Sequence, residues 1–403
     1  MTLESAALIV QSKMRTTLAI MLCVACSGEP SPEPFTPGEV ERTAWLAPAS
    51  AERLAAPQAT PEPLTIEFLG VGGFLLTRGD EQVMTPPLFT RPSLLDVNTG
   101  KEVRSDVVAI SARFPRSRVA GLKAVLVGHA HYDHLIDAPA AQLNADRAVL
   151  YGNQSMKNLL AALSPSRPPG CAPAGPRAVT LEDERVVALE RFVDYRNCPS
   201  LKPDGVPLEG TWVRVPDSNI RFMAMCSDHP DQFGPVHFAP GSVETPQCEL
   251  PSRADGWREG MTLSYLVDFL DPVTGLPSLR VYYQDSPGKD PMGLVPPELL
   301  DEKRVDVALL CVGSYQNVAN EPTATLTAMA PRFALGGHWE DFFRSVDHTP
   351  SPIPFTDMQQ WESRARAALP GGDGAPLERN GVALSERVLR PMPGDVFRVS
   401  TRR

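Results

Sequence analysis

Apolar and polar positions alternate in short blocks along this chain, and most of the blocks have the length and period of β-strands. The folded part is expected to begin with a strand over residues 64–70, followed by apolar residues at 71–76 and a short strand at 82–85 stopped by Pro86-Pro87. Residues 124–127 are apolar at every position, the mark of a strand covered on both faces. Helical spacing appears at 135–143 and again at 154–163, with a strand at 148–151 between them. Further on, 212–215 with 220–226 and 261–269 with 279–284 read as two hairpins around polar turns. Buried strands are expected at 305–312 and 332–335, a helix at 358–369, and a closing strand at 395–400. Clusters of strands interspersed with helices imply a layered α/β arrangement.

Residues 164–210 interrupt this pattern with a high content of Pro, Gly and Arg, and are expected to form an insertion or rim loops. Residues 27–63 are rich in Pro, Ala, Glu and Thr and cannot bury enough apolar surface to fold, so they read as a disordered tether. Ahead of them, Lys13 and Arg15 precede a short apolar run at 16–25 that ends in a small residue before Cys26. That run is too short to span a bilayer. It resembles a bacterial lipoprotein signal over residues 1–26, which implies an exported cell-envelope protein anchored to the membrane by lipid on Cys26. A plain secretory signal is the alternative. The folded domain then covers 64–403.

A formal net charge of -10, with no dense Lys/Arg stripe, argues against a nucleic-acid partner and leaves a small-molecule or lipid-like substrate. Five cysteines follow the signal, none in a CxxC pair, which disfavours a thiolate zinc site. Cys171 with Cys198 and Cys226 with Cys248 are candidate disulfides that would leave Cys311 free in an apolar strand. Buried thiols throughout are the alternative.

The densest chemistry lies at His129-Ala130-His131-Tyr132-Asp133-His134, where three of seven histidines and an aspartate follow the apolar strand directly. Unpaired imidazoles and carboxylates crowded at a strand end are costly to bury, and a metal ion satisfies them together. Three later strands also run into metal-type residues: 220–226 towards His229, 280–284 towards Asp285, and 333–335 through two glycines to His338.

The first of these segments resembles the HxHxDH signature of the metallo-β-lactamase superfamily, and the later three follow in that family's order. The resemblance implies a four-layer αββα sandwich with two divalent metal ions at one edge of its sheets, zinc first and iron or manganese next. It implies that His129, His131 and His229 bind one metal, that Asp133, His134 and His338 bind the other, and that Asp285 bridges them. His237 is an alternative to His229.

The activity so implied is hydrolysis of an ester, lactone or phosphodiester by water activated at the metals, with Asp133 and Asp285 in catalytic roles. Lactam hydrolysis, or an inactive binding or scaffold protein on the same fold, are the alternatives. One departure from the family pattern is Thr85, where many relatives carry an aspartate. If that aspartate normally supports the metals, Thr85 is expected to weaken the site.

Overall fold

Strand direction explains why four distant segments of this chain end at one place. The computed structural model describes residues 62–172, 179–232, 236–371 and 377–401. The first sheet is built from β1 (Leu64–Gly70), β2 (Gly73–Arg78), β3 (Glu81–Met84), β4 (Leu122–Leu126), β5 (Val149–Gly152) and β6 (Val186–Ala188). The second takes β7 (Val213–Arg214), β8 (Ile220–Cys226), β9 (Leu263–Leu270), β10 (Pro277–Gln284), β11 (Val307–Cys311) and β12 (Phe333–Gly337). The chain then returns to the first sheet with β13 (Leu377–Arg379) and β14 (Val382–Leu384), adds β15 (Val388–Leu389) to the second, and closes with β16 (Val396–Val399) beside β1. The spatial orders are β14-β13-β16-β1-β2-β3-β4-β5-β6 and β15-β12-β11-β10-β9-β8-β7.

In the second sheet β9 is antiparallel to both β8 and β10, so those two point the same way. β11 and β12 continue parallel to β10. The C-terminal ends of β8, β10 and β12 therefore share one edge, and the C-terminal end of β4 meets them from the first sheet.

The uninterrupted apolar run at 124–127 has the expected cause. Ala124 and Leu126 pack into the core between the sheets, while Val125 and Val127 pack into a second core beneath outer helices. That second core takes side chains from helices Val107–Arg113, Ala138–Gln142 and Gln154–Leu160. Helices Thr323–Met329 and Met358–Ala368 pack against the second sheet through Leu326, Met329, Trp361 and Ala365. The result is the expected αββα sandwich, a mixed α/β fold with two large sheets.

The helix expected over 135–143 is two short ones, Tyr132–Leu135 and Ala138–Gln142. Pro139 has no N–H to continue the first helix and is suited to the opening turn of the second. Residues 164–210 are mostly loop, but they also supply β6, an edge strand of the first sheet. The export signal, Cys26 and nearly all of the tether lie outside the described residues. Among the described residues no helix is long and apolar enough to cross a membrane.

The disulfides pair differently from the expectation: Cys171 with Cys248 and Cys198 with Cys226, leaving Cys311 free and buried. Asp194 explains one pair. Its backbone N–H donates to Ala224 O and its carbonyl accepts from Cys226 N–H, which lays the 194–198 segment along β8. For the other, Gln247 N–H donates to Asn158 O and Arg167 Nη1 donates to Cys248 O, bringing residue 248 against the loop that holds Cys171.

Candidate metal centre

β4 ends at Leu126, and after Val127-Gly128 the chain turns once through the short helix Tyr132–Leu135. That single turn sets His129, His131, Asp133 and His134 together at the sheet edge, all of them buried. β8 leads into His229, β10 into Asp285 and β12 into His338. The structure brings all seven expected residues into one cluster, arranged as three overlapping triads. These are His129–His131–His229, His129–His134–Asp285 and Asp133–His134–His338, and within each the ligand atoms lie within 4.8 Å of one another.

Asp285 sits at the junction. Its Oδ2 is 2.7 Å from His129 Nδ1 and its Oδ1 is 2.9 Å from His134 Nδ1. Asp133 Oδ2 lies 3.4 Å from His134 Nε2 and 3.3 Å from His338 Nε2, and those two nitrogens face each other at 3.1 Å. His229 stacks edge-on to the rings of His129 and His131 at 4.6 and 5.0 Å between centroids. His237 stands one step outside, with Nε2 2.5 Å from Glu259 and Nδ1 3.4 Å from Asp231. It forms a further triad with His229 and Glu259 rather than joining His129 and His131.

Burial and mutual charge shape the site electrically. Burial would raise the Asp285 carboxyl, but His134 and His129 outweigh it and hold the group far below the usual carboxylate range. Asp133 is lowered in the same way, burial being overcome by His134 and His338. His134 is pulled down by burial yet raised overall to about 10 by Asp285 and Asp133. His131 goes the other way, lowered to about 3 by burial and by His129. His229 is lowered for the same two reasons.

These shifts give a stability dependence with a definite sign. In chelator-treated protein, the unfolded chain takes up protons on His131 and His229 near pH 6.5 while the folded site refuses them. Stability should then fall as pH drops from 6.5 towards 4, by about 1.4 kcal/mol per pH unit for each proton. His134 is raised, so its contribution is already complete below pH 6.5 and is lost only as pH climbs towards 10. Urea denaturation in chelator at pH 7 and pH 5 reads this directly, and equal stabilities would refute it.

Several supporting residues escaped the sequence reading. Tyr283 donates its hydroxyl hydrogen bond to Asp285 Oδ1. It lies two residues before Asp285 on the same strand face, so the signal was present in the period of two. Thr85, the departure noted in the sequence, also reaches the site, hydrogen-bonding Tyr283 with its side chain. Its Oγ1 donates to Gly72 O at 2.5 Å and accepts from Phe74 N at 2.8 Å, fixing the turn between β1 and β2. Gly72 in that turn leaves room for the site, because a Cβ there would lie 2.8 Å from Tyr283 Oη and 3.1 Å from His134 Nδ1.

Glu340 anchors the same turn from the other side. Its Oε1 accepts from Val71 N at 2.6 Å and pairs with Arg91 at 3.1 Å, both side chains being buried. Val71 O in turn accepts from His338 N at 2.7 Å, where His338 holds a left-handed φ of 53°. Glu340 is thus a positioning residue for His338. Glu340→Gln should cost about 3 kcal/mol by leaving Arg91 buried without its counter-charge. It should also weaken metal affinity by about 10- to 100-fold. Wild-type values for both denaturation and metal titration would remove Glu340 from this role.

The residues fit metal ions on two observations. His129 Nε2 and His338 Nδ1 are buried with no hydrogen-bond partner among the described residues, a costly state for two nitrogens in a polar cluster. The donor set is imidazole and carboxylate without thiolate, which suits zinc, iron or manganese.

No protein-family model matches the chain, and no curated protein matches its sequence. Solved structures do resemble it. Igni18, a metallo hydrolase from Ignicoccus hospitalis, is 13% identical with a TM-score of 0.43 over 84% of this chain and 100% of that one. Unliganded yeast PDE1 is 10% identical with a TM-score of 0.42, covering 83% and 99%. A Thermotoga maritima protein of the metallo-β-lactamase superfamily, described as a putative zinc-dependent hydrolase, is 11% identical with a TM-score of 0.30, covering 74% and 84%.

Proposed function

We propose that this chain is a metal-dependent hydrolase with a dinuclear centre, cleaving an ester, lactone or phosphodiester bond. The observation that carries the reading is the position of Asp285, with one carboxylate oxygen on His129 and the other on His134, each of which also belongs to a further triad that the other does not share. His129, His131 and His229 would hold one ion, Asp133, His134 and His338 the other, and Asp285 would be shared. Divalent ions so held supply Lewis acidity and make water nucleophilic at neutral pH.

The chain's own residues do the positioning. Asp133 and Asp285 stay ionised well below neutral pH, so they orient the imidazoles and can hold a water by its protons. Tyr283 keeps its proton because burial and Asp285 both push it up, and therefore fixes Asp285 as a donor. Phe238, Phe342 and Ile353 wall the cavity beside the cluster and exclude bulk water.

Metal content of the purified chain tests the reading. About two zinc, iron or manganese ions per chain are expected, with hydrolysis of an ester, lactone or phosphodiester panel lost on chelation and regained on adding metal. Near-zero metal after reconstitution, with no turnover, would leave a binding protein on this fold.

A further inference from the structure

The cavity beside the metal centre is apolar and uncharged apart from the centre itself. It has a volume of about 460 Å³, within the range of small-molecule sites. Leu94 and Val97 come from the helix Leu94–Thr99, Phe238 from the loop after β8, and Phe342, Phe343 and Ile353 from the loop after β12. Polar lining groups are neutral, among them Asn98, Gln232, Gln316 and Asn317. No Lys or Arg lines the cavity among the described residues, and its only carboxylates are Asp133 and Asp285.

The apolar lining continues to the surface. Val236 and Phe355 line the cavity and are also 46% and 68% exposed. Phe355 is held at a left-handed φ of 70°, a conformation that aromatic residues rarely adopt, and its carbonyl is fixed by Gln316 Nε2 at 3.0 Å. Backbone strain that presents a large apolar side chain to solvent at a cavity mouth is a feature of a binding site rather than of a core.

From these observations we infer that the substrate is a neutral ester or lactone with a medium-length apolar acyl chain. This rests on the hydrolase reading above and narrows it. The reacting carbonyl would sit at the metal centre, the chain would run between the Leu94–Val97 wall and the Phe342–Ile353 wall, and its end would leave past Val236 and Phe355. An anionic phosphodiester would have its charge offset by the metal ions alone, with no Lys or Arg of the cavity wall to offset the rest of its desolvation. The overall step is plain hydrolysis: water adds to the acyl carbon, the alkoxy oxygen leaves with a proton, and a carboxylic acid and an alcohol result.

The test uses the full chain loaded with metal, with p-nitrophenyl acetate, butyrate and octanoate and bis-p-nitrophenyl phosphate as substrates. Binding of N-methyloctanamide, a neutral and hydrolysis-resistant probe with the apolar chain on its acyl side, is measured beside dimethyl phosphate by calorimetry. The kcat/KM should rise by up to about fourfold per buried methylene from acetate to octanoate, and the phosphodiester should be the poorest substrate. Phe355→Asp and Phe342→Ala should each lower the octanoate-to-acetate ratio by about tenfold. N-methyloctanamide should bind and dimethyl phosphate should not.

A flat chain-length series, or a phosphodiester preferred over octanoate, overturns the inference while leaving the hydrolase reading standing. Binding of the amide with no turnover of any substrate overturns the hydrolase reading and keeps the apolar site.

Discussion

Asp285→Ala is expected to lower turnover by at least about a thousandfold, the scale on which one member of a catalytic constellation is missed. It should also reduce bound metal from about two ions per chain towards one or none. The reason is geometric. Asp285 places one oxygen on His129 and the other on His134, at 2.7 and 2.9 Å, and those two histidines link its triad to the triads on either side. On the proposed dinuclear reading, removing it would withdraw the negative charge that offsets repulsion between two neighbouring dications. The fold should persist, because Asp285 follows β10 at the sheet edge rather than pairing within it. Circular dichroism and metal analysis on the same sample separate the effects. Full activity together with full metal content would sink the dinuclear assignment.

Gly128→Ala should be nearly as severe although residue 128 touches no metal. A Cβ at this position would lie 2.1 Å from Asp285 Cβ and 2.3 Å from its Oδ2, so either β10 or the β4 turn must move. The β4 turn is fixed by backbone hydrogen bonds, since Gly128 O accepts from Leu263 N at 2.8 Å and Val127 N donates to Tyr151 O at 2.8 Å, and β10 is paired with β9 as far as Gln284. Overpacking between two pinned strands costs about 3 kcal/mol or more. The shift it forces falls on the carboxylate whose triad joins the other two. Loss of metal together with a fall in thermal midpoint is therefore expected, and an alanine variant with both intact would show that the strand ends have slack.

Much of this was legible in the sequence, for reasons that differ between fold and site. The strands were readable because Leu64–Gly70, Ile220–Cys226 and Leu263–Leu270 are long enough to show their burial pattern. Helices such as Leu94–Thr99, Val107–Arg113 and Thr323–Met329 were not, because one or two turns hold too few residues to display a period of 3.6. Two of them carry side-chain caps, Ser93 Oγ accepting from Asp96 N and Asp106 Oδ1 from Ala109 N. The seven donors stood out because histidine and aspartate at strand ends are chemically conspicuous. Their supports did not: Glu340, Gly128 and Gly72 acquire meaning only when segments far apart in sequence meet. The same limit misplaced the disulfides, since Asp194 bridges to β8 through backbone atoms that carry no residue signature.

The assembly of the cluster from both sheets also orders events in time. A chain synthesised only as far as β6 carries His129, His131, Asp133 and His134, yet each triad of the cluster still lacks a member: His229, Asp285 or His338. The shared carboxylate arrives with the end of β10, and the last imidazole with the end of β12. Loop closure over such separations is unfavourable until the intervening strands have paired. A nascent chain therefore offers scavenging cations no finished cage, and ion capture becomes a late checkpoint that only a nearly complete sandwich can pass.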